Sequence, residues 1–164
     1  MRLPHRRQFL HLAAIAAALP AGTSPVSAQQ QAATTKGMEI DLPDVVAEVK
    51  AAFERYEQAV VSNNAAVLDD SFRDDPRTIR YGTAENLYGY KEIEAFRRST
   101  RGPGPRTLSK TVITTYGREF AVASTLTHRV GVTGRVGRQT QTWVRFPDGW
   151  KVVAAHVSTI DEPK

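Results

Sequence analysis

The sequence has no cysteine, which removes disulfides, thiolate zinc, iron–sulfur ligation and a cysteine nucleophile together. Histidine is scarce too. The two histidines beyond the amino-terminal stretch, His128 and His156, stand far apart with no acids clustered beside them, a poor set for a metal ion. There is no Gly-rich loop of dinucleotide or P-loop spacing and no Gly-x-Ser-x-Gly elbow. Neither a metal nor a cofactor is expected. Charge of one sign is also lacking. The formal net charge is +5, but Arg2, Arg6 and Arg7 lie in the first 28 residues, which hold no acid, and the rest of the 22 Lys and Arg nearly balance the 17 Asp and Glu. Without a sustained basic stripe, neither nucleic acid nor a membrane is expected as a partner.

The 164 residues are 41% hydrophobic and 24% charged, a globular composition of one-domain length. The first 28 have the parts of a twin-arginine export signal. Arg6-Arg7 is followed two residues later by Phe9-Leu10, Leu12 to Ala21 is an apolar stretch too short to span a bilayer, and Val26-Ser27-Ala28 ends in small residues. Cleavage after Ala28 would give a periplasmic protein, with residues 29–37 as a polar spacer and 38–164 as the folded domain. Translation from Met38 would instead give a cytoplasmic one.

From Pro43, the apolar residues Val45, Val46, Val49, Phe53, Tyr56 and Val60 recur at helical spacing, and Asn63-Asn64 ends the run. Asn64 suits the N-cap of a second, shorter helix reaching Phe72. Thr78–Thr83 is a strand candidate, Glu85 to Tyr90 reads as a loop, and Tyr88–Arg98 reads as a third helix stopped by Gly102-Pro103-Gly104-Pro105. Four β-type runs follow, Thr107–Tyr116, Phe120–Val130, Arg138–Phe146 and Trp150–Ile160, joined by short breaks that imply a mainly antiparallel sheet. The expected class is α+β, with a helical hairpin across a curved sheet. Several strands are apolar at both parities, so the second sheet face is expected to be covered by another copy of the chain.

The order of these elements, with Trp143 and the closing run Gly149 to Ser158, resembles the SnoaL-like, nuclear-transport-factor-2-like cone fold. Within it, Met38 to Pro43, Arg80-Tyr81-Gly82, Glu85 to Tyr90, Thr114 to Arg118 and Gly137 to Pro147 resemble the AtzH-like group, which includes the HpxZ-like proteins of oxalurate catabolism. The resemblance covers nearly all of residues 38–160. It implies a dimeric cone with a pocket between helices and sheet, work on carboxylated ureas near an amidase, and decarboxylating hydrolysis of 1,3-dicarboxyurea to allophanate. Such proteins look cytoplasmic, whereas this chain carries an export-like leader.

A small, planar, anionic substrate needs guanidinium forks and hydroxyl or amide partners. Arg80, between Ile79 and Tyr81 in a short strand, either binds a carboxylate or pairs with a nearby acid. Tyr56 lies on the buried stripe of the first helix, where a phenol is either a core residue or a pocket donor. With the resemblance, Tyr56 and Arg80 are the expected catalytic pair. Asn86 and Tyr88 either line the pocket mouth or serve as a cap and a packing ring. Arg138, Thr140 and Thr142 share one strand face and Gln139, Gln141 and Trp143 the other, so Arg138 and Gln141 each represent one candidate lining. His156, on a face with Val152, Ala154 and Ser158, is either a neutral core histidine or, as the resemblance suggests, a pocket residue.

The leading expectation is therefore a cofactor-free hydrolase of a carboxylated urea or related amide. The alternatives are a dimeric module that holds a small acid without transforming it, and an isomerase or cyclase, which would need a carboxylate base in the pocket.

Overall fold

The computed structural model describes residues 37–162. Helix α1 (Pro43–Ser62) opens on a proline whose missing N–H would have had no intrahelical acceptor, and Asp44 meets the positive end of the helix dipole. Val45, Val49, Phe53, Tyr56 and Val60 form its buried stripe. Asn63 stops it in the left-handed conformation, φ 53°, and Asn64 caps α2 (Ala65–Asp70) by accepting the Val67 N–H at 3.2 Å. The helical hairpin is as the sequence implies. Among the described residues, no helix is long and apolar enough to cross a membrane.

Six strands, β1 (Ile79–Tyr81), β2 (Asn86–Tyr88), β3 (Arg106–Tyr116), β4 (Phe120–Arg129), β5 (Arg135–Phe146) and β6 (Gly149–Asp161), form one sheet, with α3 (Tyr90–Ser99) between β2 and β3. Their spatial order is β2-β1-β6-β5-β4-β3, antiparallel throughout except where β1 runs parallel to β6. The class is α+β, as expected. Strand β2 was not expected. Gly82 donates to the Glu85 carbonyl at 2.8 Å and closes a tight turn, so what reads as a loop pairs back on β1. Gly89, at φ 83°, then turns the chain so that α3 begins at Tyr90 rather than Tyr88.

Side-chain parity on β5 follows from Trp143, which is 1% exposed and needs a core; Gln139 and Gln141 turn inward with it, while Arg138 and Thr140 are exposed on the other face. The register of β5 with β6 slips at this point. Trp143 faces Val152 and Thr142 faces Ala154, leaving Val153 as the extra residue of a bulge. Strict alternation is thereby corrected: Val152 points inward with Ala155, on the face opposite to Ala154 and His156.

The first half of α1 contributes Val45, Val49 and Phe53 to a core shared with Ala121, Ala123, Trp143 and Val152 of the sheet and Ile93 of α3. The small Ala121 and Ala123, both fully buried, let the helical layer approach closely. Gln141 sits between Ala123 and Ala155, 1% exposed, and neither of its amide atoms has a partner among the described residues. An unpaired buried amide is destabilising, so Gln141→Met is expected to raise the unfolding free energy by about 1 kcal/mol in a urea titration.

Candidate functional site

Past Phe53, the buried stripe of α1 roofs a cavity of about 580 Å³ instead of a dry core. Tyr56, Val60 and Asn63 form the roof, and the β1–β2 turn with Phe96 and Arg97 of α3 forms one wall. The inward positions of β3 to β6 floor it, including Arg106, Thr127, Gln139 and Val157. Along β5 the inward series Trp143, Gln141, Gln139 thus runs from core to cavity.

Six arginines line the cavity, and they fall into two sets. The inner three each hold one carboxylate: Arg80 Nη1 donates to Glu85, Arg97 Nη1 to Asp69 at 2.8 Å, and Arg106 Nη2 to Glu57 at 2.6 Å. Arg80 and Arg97 also lie over the rings of Phe96 and Phe72, at 5.3 and 4.4 Å from their centroids. The outer three, Arg101, Arg129 and Arg135, are exposed, and Arg129 donates to the Pro103 carbonyl at 2.8 Å. Glu57 is itself held twice, because Gln139 Nε2 donates to its other oxygen at 2.6 Å.

Tyr56 stands edge-on to Trp143 with centroids 6.2 Å apart, and its hydroxyl is not engaged by any hydrogen bond among the described residues. Burial pushes its phenol above the ordinary tyrosine value and Glu57 adds to the rise, while Arg97, Arg80 and Arg106 pull the other way. The net direction is upward, so at neutral pH it is a proton donor and not a phenolate. Such an arrangement can take a small anion against its guanidinium groups and offer it one proton from a hydroxyl outside the ion pairs.

A family model for AtzH-like proteins matches residues 38–163. The chain belongs to the AtzH-like family. Two solved structures with sequences close to this member come from Pectobacterium atrosepticum and Burkholderia xenovorans. The first, a protein of unknown function of the DUF3225 family, is 52% identical with a TM-score of 0.73, covering 76% of this chain and 100% of its own. The second, described as a cystatin-like fold protein, is 47% identical with a TM-score of 0.74, covering 77% and 100%. A nuclear transport factor 2-like protein from Salmonella enterica, 24% identical at a TM-score of 0.59 over 74% of this chain and 94% of its own, shares the fold. No curated protein matches the chain. The AtzH-like chain thus has the NTF2-like form of the α+β class.

Of the residues singled out from the sequence of this AtzH-like chain, Tyr56 and Arg80 both line the cavity. The other five lie elsewhere. Arg80 pairs with Leu87 on the inward face, which turns Asn86 and Tyr88 to the opposite side; Tyr88 is 57% exposed with its hydroxyl 3.3 Å from that of Tyr81. Arg138 is also outward, donating to Ser158 Oγ at 3.1 Å. His156, exposed, stands edge-on to Tyr81 on that same face, and Gln141 is sealed below the cavity floor. Period-2 alternation decides the outward placement of Asn86, Tyr88 and Arg138 and the β6 bulge that of His156, while Gln141 has the inward parity and is covered by the core.

Glu57, Arg97, Arg106, Gln139 and Glu85 were missed. Two carried a signal: Glu57 follows Phe53 by four residues and Arg97 follows Ile93 by four, so both charges occupy stripe positions. Removing Glu57 would leave Arg106, whose side chain is 6% exposed, charged and unpaired. Glu57→Ala is expected to cost about 3–5 kcal/mol in chemical denaturation, most of it recovered by the triple variant Glu57→Leu, Arg106→Met, Gln139→Met, which leaves no member of the buried set unpaired.

Proposed function

We propose that the protein is a cofactor-free hydrolase of a carboxylated urea or related amide, of the type that converts 1,3-dicarboxyurea to allophanate. The observation that carries this reading is the uncommitted, protonated Tyr56 phenol in a cavity ringed by guanidinium groups. In the reaction, the bond between one carboxylate carbon and its urea nitrogen breaks. The electron pair stays on nitrogen, which takes a proton, and the carbon leaves as carbon dioxide that water converts to bicarbonate. Tyr56 donates that proton and is reprotonated from water. Arg80 holds the carboxylate that is retained, and the departing one meets only the exposed arginines of the mouth, whose solvent-screened pairing costs little to give up as its charge is lost. Positioning and electrostatics supply the catalysis, with no covalent intermediate.

An isomerase is less well supported, since Glu57, Asp69 and Glu85 around the cavity are each committed to an arginine. Tyr56→Phe is expected to lower kcat by roughly 100-fold with KM nearly unchanged, and Arg80→Ala to raise KM, read as bicarbonate release. Because the donor is the protonated phenol with a raised pKa, wild-type activity holds across neutral pH and falls only above the ordinary tyrosine range. Turnover unchanged in both variants would refute the reading.

The same reading takes the outward sheet face as a homodimer surface, supported by the exposed Tyr88, Val112, Tyr116 and Phe120, and places the protein beside an amidase that consumes its product. The leader, which lies outside the described residues, is taken as functional and the protein as periplasmic. Fractionation with intact mass analysis is expected to find a periplasmic species beginning at Gln29. A cytoplasmic species beginning at Met1 or Met38 would overturn export.

A further inference from the structure

The β1–β2 turn supplies the cavity with a carboxylate of its own. Arg80 and Glu85 both line the wall, with side chains 20% and 18% exposed, and Arg80 Nη1 donates to Glu85 Oε1. That contact uses one nitrogen of the guanidinium; its other N–H groups have no hydrogen-bond partner among the described residues. The second Glu85 oxygen accepts the Ala84 N–H at 3.2 Å, so the carboxylate is held by the turn as well as by the arginine. Gly82 makes room for it. A Cβ at Gly82 would occupy the space of the Glu85 carboxylate, and Gly82 is not among the positive-φ glycines. Its missing side chain therefore serves the carboxylate rather than the backbone.

We propose that Glu85 is a built-in competing ligand of Arg80, and that it makes the cavity select dianions over monoanions. The inference rests on the reading that Arg80 is the acid-holding residue. An incoming monocarboxylate either takes Nη1 and displaces Glu85 or takes the remaining N–H groups and lies beside the Glu85 carboxylate, so in neither case does it gain a net ion pair. A dianion makes the same exchange and gains a further pair at the cavity mouth, where Arg101 and Arg129 have no carboxylate partner among the described residues. Glu85 thus sets an affinity threshold that a single acid group does not cross.

Two variants of the full-length chain test this by different routes, with acetate and malonate as probes and dissociation constants from NMR titration. Glu85→Gln removes the competing charge. Gly82→Ala keeps the charge and pushes the flexible carboxylate off Arg80. Both are expected to bind acetate roughly 10-fold more tightly than wild type, and malonate with a smaller gain, so the malonate-to-acetate preference falls. Acetate affinity unchanged or weakened in both would overturn the proposal, as would tightening in Glu85→Gln alone, which is a charge effect without displacement. Arg80→Ala in the Glu85→Gln background separates this inference from the one beneath it. If the gain disappears, both stand; if the gain survives, Arg80 is not the acid holder. If Arg80→Ala weakens malonate binding but Glu85→Gln brings no gain, only the competing-ligand proposal fails.

Discussion

A carboxylate on the buried stripe of a helix has to be compensated where it lies, and Glu57 is compensated from two strands at once. Arg106 of β3 and Gln139 of β5 each take one of its oxygens, and Arg106 Nη2 also reaches Gln139 Oε1 at 3.1 Å, so the three side chains close on one another. Hydrophobic residues at these positions would have filled the space between α1 and the sheet. The polar triangle ties the same elements together across fixed distances and leaves the volume beside it open. It also makes a repulsive arrangement tolerable: Arg106 and Arg129 are direct cross-strand neighbours, and like charges so placed destabilise a sheet unless each has a partner. Glu57 serves the first and the Pro103 carbonyl the second.

The cavity's electrostatics follow from this pairing. The three inner arginines are matched by Glu85, Asp69 and Glu57, so in the empty protein the inner wall is close to neutral despite its guanidinium groups. The surplus positive charge sits at the mouth, on Arg101 and Arg129, where solvent shares the cost of keeping it, while Arg135 beside them pairs with Asp161 at 3.5 Å. Tyr56 keeps its proton chiefly because it is buried. Three cations nearby would favour a phenolate, yet burial is the larger influence and Glu57 opposes ionisation further. An anion entering such a site meets guanidinium groups that are already oriented by their acids, which lowers the reorganisation needed to bind it.

Much of the architecture was legible because local chemistry decides it. Pro43, the stripe to Val60 and the Asn63-Asn64 pair define the helical hairpin, and the strand-rich half with short breaks gives a mainly antiparallel sheet. Tyr56 and Arg80 were legible for different reasons, the first from its place on the α1 stripe between Phe53 and Val60, the second from standing between Ile79 and Tyr81 in a short strand, with the family resemblance behind both. Strand β2 was not, because three residues closed by a Gly82–Glu85 turn have no periodicity to read. The acids of the cavity were hidden as well. Asp69 and Glu85 belong to a helix end and a turn, where solvated acids are usual, and only the tertiary approach of Arg97 and Arg80 turns them inward. Glu57 and Arg97 did leave a trace, in that each occupies a helix position four residues beyond a fully or nearly buried side chain.

The residues placed in a pocket from their chemistry, yet found on the other face, show why polarity alone misdirects in a sheet. β5 carries polar side chains at both parities: Arg138, Thr140 and Thr142 on one, Gln139 and Gln141 on the other. Composition cannot rank these faces, but a single Trp143 can, since a side chain of that size at 1% exposure fixes which way its whole strand turns. β6 adds a second difficulty. The bulge at Val153 moves Val152 onto the face of Ala155, so counting by twos from either end assigns half of the strand wrongly. His156 falls outward for that reason, beside Tyr81 and near Arg138 and Ser158 along the outer face. The strand residues that line the cavity, Arg80, Arg106 and Gln139 among them, are all drawn from the inward parity, and the outward parity carries the aromatic and polar surface that faces away from the helices.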